Sequence, residues 1–362
     1  MKKGKWIVKS IVTFLVILMG TAVSVNAETN EAADDNHSNT YSYYLDSDNG
    51  CLTITGNGTM GNVGIDTKQK GYKFVSNRPW ALTKARARKI KVVNIGEGIT
   101  TVPAGAFANL PNLKKVQMSD TVTSIGKYAF YGCKSLKTIH LSKNVKTIGS
   151  EAFYNCSKIT SIALGSKVAK IGNRTFFGTK ALCSIKVDKA NKNFVVKEDG
   201  LYSKSKRTLY CYATGISGSA KILKTTVRIK SGAFAYAKFS KIAIPAAVRV
   251  IESGAFYHCK KLKKVTFAPK SKCKAFLCYY KNYGDHVKER LGTFEGCSSL
   301  VTFHTPDRLR FMGSSTFVEC KKLKEVTLGK SFRYFLTDKN KKTKNIRKTS
   351  LKKVTVKTSN KK

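Results

Sequence analysis

Ten cysteines, five histidines and 21 acidic side chains are the groups in this 362-residue chain that could ligate a metal, attack a carbonyl or carry protons. Their spacing limits what they can do. No Cys-x-x-Cys and no His-Glu-x-x-His occurs, and His37, His140, His258, His286 and His304 are scattered, so the usual zinc arrangements are missing. Cys273, Cys278 and His286 come nearest to a grouping, inside a Lys-rich stretch, and make a weak ligand set. Hydrolysis requires a nucleophile, base and orienting group, or two carboxylates, converging in space. There is no Gly-x-Ser-x-Gly elbow and no phosphate-binding loop, and Asp120, Glu151, Glu252, Glu295 and Glu325 fall at unrelated points. These residues point to a non-enzymatic scaffold with no catalytic, cofactor or metal site.

Half of the cysteines follow a rule. Cys133, Cys156, Cys259, Cys297 and Cys320 each sit three residues after a Phe, in a slot that elsewhere holds Leu110, Thr179 and Ala237. Such a slot asks for a small, mostly apolar filler, which a free thiol satisfies. Disulfide rungs stay open as the alternative, because stacked coils bring like positions to about a disulfide's Cα separation. Cys51, Cys183, Cys211, Cys273 and Cys278 suggest no pairing.

The elements that position these residues repeat. Phe107, Phe130, Phe153 and Phe176 lie 23 residues apart, as do Phe294 and Phe317, while Phe234 and Phe256 are 22 apart. Ile125-Gly126, Ile148-Gly149 and Ile171-Gly172 keep that register. An apolar triplet spaced Leu-x-x-Leu-x-Leu precedes each Phe, from Ile90/Val93/Ile95 and Leu113/Val116/Met118 through Leu323/Val326/Leu328 to Leu351/Val354/Val356. The alternating end of each triplet predicts a short strand with its apolar positions inward. The Ile-Gly-x-x-Ala-Phe segment predicts the return path, its Gly expected to supply a backbone conformation other residues resist. One coil cannot enclose a core, so coils must stack with the Phe side chains in an internal column. The period and motif define a mainly β repeat solenoid of the leucine-rich-repeat class, with 23-residue coils and short parallel strands on one face.

Ile125-Gly-Lys-Tyr-Ala-Phe-Tyr-Gly-Cys-Lys-Ser-Leu136 and Ile148-Gly-Ser-Glu-Ala-Phe-Tyr-Asn-Cys-Ser-Lys-Ile159 resemble the BspA-type leucine-rich repeat of bacterial surface proteins. Gly50–Met60 followed by Pro79-Trp80 looks like that family's N-terminal β cap, and Asp199-Gly-Leu-Tyr202 with Lys206, Leu209, Tyr212 and Gly215 looks like its inserted hairpin. The resemblance covers about residues 43–357. It departs at Thr175, where Ala is usual, in the insert at 268–293, and at 329–350. It implies a secreted or surface-attached protein that mediates adhesion.

Lys2, Lys3, Lys5 and Lys9, the apolar run Ile11–Met19 and the small-residue ending Val25-Asn26-Ala27 read as an export signal over 1–27. The run falls short of the ~20 residues a membrane span needs. After it the expected organisation is an acidic disordered leader at 28–42, a cap at 43–89, the solenoid at 90–328 with inserts at about 188–215 and 268–293, and a basic segment at 329–362 with one partial repeat. No further segment of spanning length follows the signal.

The formal net charge of +46 comes from 67 Lys and Arg against 21 acids. A field of this size favours anionic partners but does not specify a fold. The outward strand positions are the candidate ligand face: Lys115, Gln117, Thr138, His140, Lys186, Lys241, Lys264, Thr302 and His304, among other small polar residues. Five of the eighteen outward positions are Lys and one is Glu, a modestly basic surface suited to protein or glycan macromolecules. The candidate electrostatic patch lies elsewhere, in Arg86, Arg88 and Lys89, in Lys270, Lys272 and Lys274, and in Lys341, Lys342 and Lys344. Anionic wall polymers, host glycosaminoglycans or mucin sulfates would be held there. No nucleic-acid-binding module is recognisable, so a specific nucleic-acid partner is not expected. The two functional readings are a surface adhesin and a wall-associated structural protein retained by charge.

Overall fold

The computed structural model describes strands at 15–18, 21–24 and 27–33 and the chain over 40–60, 78–81, 83–277, 279–283, 287–336, 342–343 and 353–356. It is a β-solenoid of about 10 turns. Each coil contributes two parallel strands, one to each side of the stack. The longer strand begins the coil, as in Val92–Ile95, Lys115–Met118 and Thr138–His140, and pairs one full repeat away, Lys115 opposite Thr138 and Val116 opposite Ile139. The shorter is a two-residue strand such as Ser124–Ile125, Thr147–Ile148 and Lys170–Ile171. Helix is confined, among the described residues, to one 3-10 turn at Pro79–Ala81 and one short α-helix at Lys84–Lys89.

Alternation explains the longer strands. Val93, Val116, Ile139, Ile162 and Ile185 are buried while their neighbours face out. The Phe column runs through the centre. Phe107, Phe130, Phe153 and Phe176 stack at centroid separations of 5.4, 5.4 and 5.8 Å, with rings nearly parallel. Trp80 closes the N-terminal end, stacked on Phe107 at 5.6 Å and donating from its indole nitrogen to the Ala106 carbonyl at 3.2 Å. Arg78 joins it, donating to the Ala108 carbonyl at 2.6 Å.

Three expectations change. Gly126, Gly149 and Gly172 do not adopt a left-handed backbone. They are needed because coils touch there: a Cβ on Gly149 would sit 2.5 Å from the Gly126 carbonyl carbon, and one on Gly172 would sit 2.2 Å from the Ser150 nitrogen. The left-handed positions instead fall two residues after each column Phe and, from Phe107 to Phe256, two residues before it as well, as at Gly105 and Asn109, with φ +70° and +54°. Second, a strand at Ala27–Ala33, which runs from the last residue of the expected signal into the segment expected as a disordered leader, pairs antiparallel with Thr40–Asp46. The other edge of Thr40–Asp46 is taken by Cys51–Gly56, and an open sheet edge recruits extended chain through backbone bonds, whatever its charge. Third, the cysteine slot is more than a filler. The thiols of Cys133, Cys156, Cys259, Cys297 and Cys320 donate to the carbonyls of Phe107, Phe130, Phe234, Phe256 and Phe294, the Phe of the preceding coil, at 3.0–3.2 Å. Nine described cysteines are free thiols, and the tenth, Cys278, lies outside the described residues.

The insert at 188–215 is a three-stranded antiparallel unit, Phe194–Lys197, Gly200–Ser203 and Thr208–Tyr212, whose last strand pairs in parallel with Arg228–Ile229. It carries no Ile-Gly-x-x-Ala-Phe segment, and the buried core divides there into two clusters, one reaching Ala213 and the other starting at Tyr202. The second insert gives Phe276 to the core and forms a hairpin, Tyr279–Tyr283 with Val287–Leu291, whose Leu291 packs in a side cluster with Tyr154 and Phe177.

Substituting Gly149→Ala should cost about 1–3 kcal/mol in urea denaturation, through overpacking of backbone on backbone. A loss of only a few tenths would mean that the coils can separate freely. The thiols generate a pH dependence. Burial pushes Cys133, Cys211, Cys273 and Cys320 up to about 12 from an ordinary value of 9.0. The folded state therefore holds protons that the unfolded chain releases above pH 9, so stability is full below that pH and falls as pH rises toward 12. Melting scans between pH 8 and 11 check the slope. Native alkylation should reach the exposed Cys183 well before these four.

Candidate binding surfaces

The strand side places the expected face in registered groups. Gln117 lies opposite His140 and Lys115 opposite Thr138 on adjacent strands. Lys186 is opposite Ala163, and Lys241 is directly opposite Lys264. Thr302 faces Glu325 and His304 faces Thr327. All nine candidates are exposed except Lys115, which is half-buried. The groups occupy one side of the stack, but strand pairing is interrupted between Thr138–His140 and Ser161–Leu164, between Ser184–Val187 and Lys241–Ile244, where the 188–215 unit intervenes, and between Lys264–Phe267 and Thr302–His304. Lys241 and Lys264 form the most concentrated charge on this side: like charges held in register repel, and an anionic partner would relieve that repulsion.

The basic residues of the candidate patch do not converge. Arg86, Arg88 and Lys89 sit on the Lys84–Lys89 helix, whose Thr83 hydroxyl accepts from the Arg86 amide at 3.1 Å. Arg86 is half-buried; the other two are exposed. Lys270, Lys272 and Lys274 are exposed on a turn several coils away. Lys342 begins a two-residue strand beside Tyr334–Leu336, and Lys341 and Lys344 lie outside the described residues. Cys273 is buried, and its suggested metal partners Cys278 and His286 lie outside the described residues. Among the described residues no three His, Cys, Asp or Glu side chains form a metal-sized group.

A further feature lies on the opposite side. The turns after the shorter strands are laddered by backbone bonds, with Phe130 N to Ala152 O and Phe153 N to Thr175 O. The ladder resumes with Tyr212 N to Ala233 O and Phe234 N to Ala255 O. At the level between, the 188–215 unit supplies strands but no return segment. A cleft of about 320 Å³ opens along this interruption, lined by Lys127, Tyr128, Ser150, Glu151, Asn173, Arg174, Ser231, Glu252, Ser253 and Leu277.

Its charged groups are held in place. Arg174 donates to Glu151 at 2.7 Å, and their side chains are only 3% and 4% exposed. The Arg174 guanidinium also lies over the Tyr154 ring, 5.9 Å from its centroid. Glu252 accepts from Arg228 at 2.9 Å, Lys230 at 3.2 Å and the Ser231 amide at 3.1 Å. Apolar periodicity does not signal this cleft. The signal is in the column two residues before each Phe, where Gly105, Gly232 and Gly254 have positive φ and where Tyr128, Glu151 and Arg174 hold φ of +59°, +58° and +54°. Non-glycine residues in that conformation cost about 1–3 kcal/mol each and gather at functional sites. Glu151 and Arg174 are opposite charges one repeat apart in one column, so their pairing was readable once the columns were aligned.

The architecture defines a leucine-rich solenoid whose turn ladder is interrupted beside the 188–215 unit. The family described as the BspA type leucine-rich repeat region matches in six copies over residues 85–204, 212–282 and 290–361, and the chain belongs to that family. Its fold is similar to that of the pneumococcal vaccine antigen PcpA, at 19% identity and a TM-score of 0.62 over 91% of this chain and 88% of that one. A leucine-rich repeat protein from Eubacterium ventriosum is similar at 24% identity and a TM-score of 0.58, over 85% and 86% of the two chains. A leucine-rich cell surface protein from Faecalibacterium prausnitzii is similar at 20% identity and a TM-score of 0.54, over 91% and 96%. No curated protein sequence matches the chain. Among the described residues no helix is long and apolar enough to cross a membrane.

The buried pair can be tested by itself. Glu151→Gln should cost about 3–5 kcal/mol in denaturant titrations, because Arg174 is left as a buried charge without its counterion. The double variant Glu151→Leu with Arg174→Met should cost less than the sum of the singles. An additive cycle would mean that the two side chains act independently.

Proposed function

We propose that this chain is exported through its N-terminal signal, cut after Ala27, and acts at a bacterial cell surface as a non-enzymatic binding protein. It would contact host or neighbouring-cell macromolecules through the strand side. The observation that carries this reading is the set of registered groups of exposed side chains on one side of the stack, Gln117 opposite His140, Lys241 opposite Lys264, and Thr302 and His304 opposite Glu325 and Thr327. A rigid array of outward positions one strand apart can meet an extended protein or glycan at many points, each contact modest and the sum specific. Two structural neighbours described as a cell surface protein and a vaccine antigen support a surface setting.

A second reading is retention by charge. Lys260, Lys261, Lys263, Lys270, Lys272 and Lys274 are all exposed within one short stretch of chain, which favours an anionic polymer of the wall or matrix. The two readings separate in one binding experiment with isolated cell walls and with matrix glycoproteins across a salt series. Replacing Lys115, Lys241 and Lys264 with Ala should weaken glycoprotein binding about tenfold or more and leave wall retention in place. Replacing Lys270, Lys272 and Lys274 with Gln should do the reverse, with wall binding lost at moderate salt. Unchanged glycoprotein affinity in the first variant would end the strand-side reading. Wall binding that survives about 0.5 M NaCl would end the second.

A further inference from the structure

We propose that the cleft along the interrupted turn ladder is a second binding site, for an uncharged polyhydroxylated ligand the size of one or two sugar units. It lies on the other side of the solenoid from the strand ladder and does not depend on it. At about 320 Å³ it falls within the range of small-ligand sites.

The charge of the lining narrows the ligand. The lining holds two cations, Lys127 and Arg174, and two carboxylates, Glu151 and Glu252, and Arg228 and Lys230 pair with Glu252 from its edge, so the cleft carries only a small positive excess. A polyanion finds denser positive charge in the exposed Lys260, Lys261, Lys263, Lys270, Lys272 and Lys274 than at this cleft. Of the remaining side chains, Ser150, Ser231, Ser253, Tyr128 and Asn173 carry hydroxyls or an amide, and Leu277 is the single aliphatic wall. A peptide needs apolar pockets for its side chains. A sugar needs closely spaced donors and acceptors, because each hydroxyl both gives and accepts a hydrogen bond.

The acceptors are also pre-positioned. Glu252 is fixed by three donors, and its side chain is still 13% exposed. Asn173, which precedes Arg174 on the same rung and whose backbone nitrogen donates to the Ser150 hydroxyl at 3.2 Å, is exposed, with its side-chain amide toward the surface of the wall. Tyr128, Glu151 and Arg174, the three strained positions of the glycine column, are all cleft residues. Backbone strain maintained at three successive rungs, all facing one cavity, fits a site whose side chains are kept for a ligand and not for packing alone.

The test uses the full chain, saturation-transfer NMR and titration calorimetry, with lactose, cellobiose and N,N′-diacetylchitobiose as neutral probes and a sulfated disaccharide as the charged comparison. At least one neutral disaccharide should bind, with an affinity unaltered between low salt and about 0.5 M NaCl. Asn173→Ala and Glu252→Gln should each weaken it by about tenfold, and Asn173→Trp, which fills the cleft from an exposed position, should abolish it. Asn173 is on the surface, so an unchanged melting temperature verifies that its two variants fold, and the circular-dichroism spectrum verifies Glu252→Gln, which also loses the charge held by Arg228 and Lys230. Replacing Lys241 and Lys264 should leave disaccharide binding intact. The proposal is overturned by no neutral binding at about 10 mM ligand, by binding of the sulfated probe alone that disappears in salt, or by full binding in Asn173→Trp.

Discussion

The contact on which everything else depends is backbone against backbone, one repeat apart. Gly149 lies so close to Gly126, and Gly172 to Ser150, that a single methyl group would not fit. That closeness sets the distance at which Phe153 stacks on Phe130 and at which the thiol of Cys156 reaches the Phe130 carbonyl. A coil even slightly thicker would break the strand pairing on both sides at once. A period of 22 or 23 residues meets this requirement: it returns the chain to the same angular position with strands in register and aromatic rings in contact.

Because each column has one physical job, most of the fold is legible in the chain. Inward strand positions take Val or Ile, the column centre takes Phe, and the touching point takes Gly, so alignment of the copies reveals the solenoid before any coordinates. The legible part ends where one residue type serves two jobs. Gly126 and Gly105 look alike in sequence, yet the first avoids a collision and the second adopts a left-handed backbone. The cysteine slot reads as apolar filling from Leu110 and Ala237, and only the coordinates show that a thiol there also closes a hydrogen bond to a carbonyl.

The strand-side candidates were readable for the same reason, since outward positions follow from inward ones. How they are divided was not, because the 188–215 unit is an insertion whose strands join the opposite sheet. The cleft is harder still. It arises from a segment that is missing, the return path of one coil, and an omission leaves no residues to recognise. Its traces are indirect: Glu151 and Arg174 in a column where Gly105, Gly232 and Gly254 stand in other coils.

The 188–215 unit has one more effect, on cooperativity. The apolar interior is continuous up to Ala213 and continuous again from Tyr202, but Cys211 belongs to the first body and Tyr212 to the second. In a chain of nearest-neighbour contacts, order spreads only as far as the interfaces that carry it. The two halves therefore meet at a junction where consecutive residues answer to different cores, and a disturbance that melts one half need not propagate into the other.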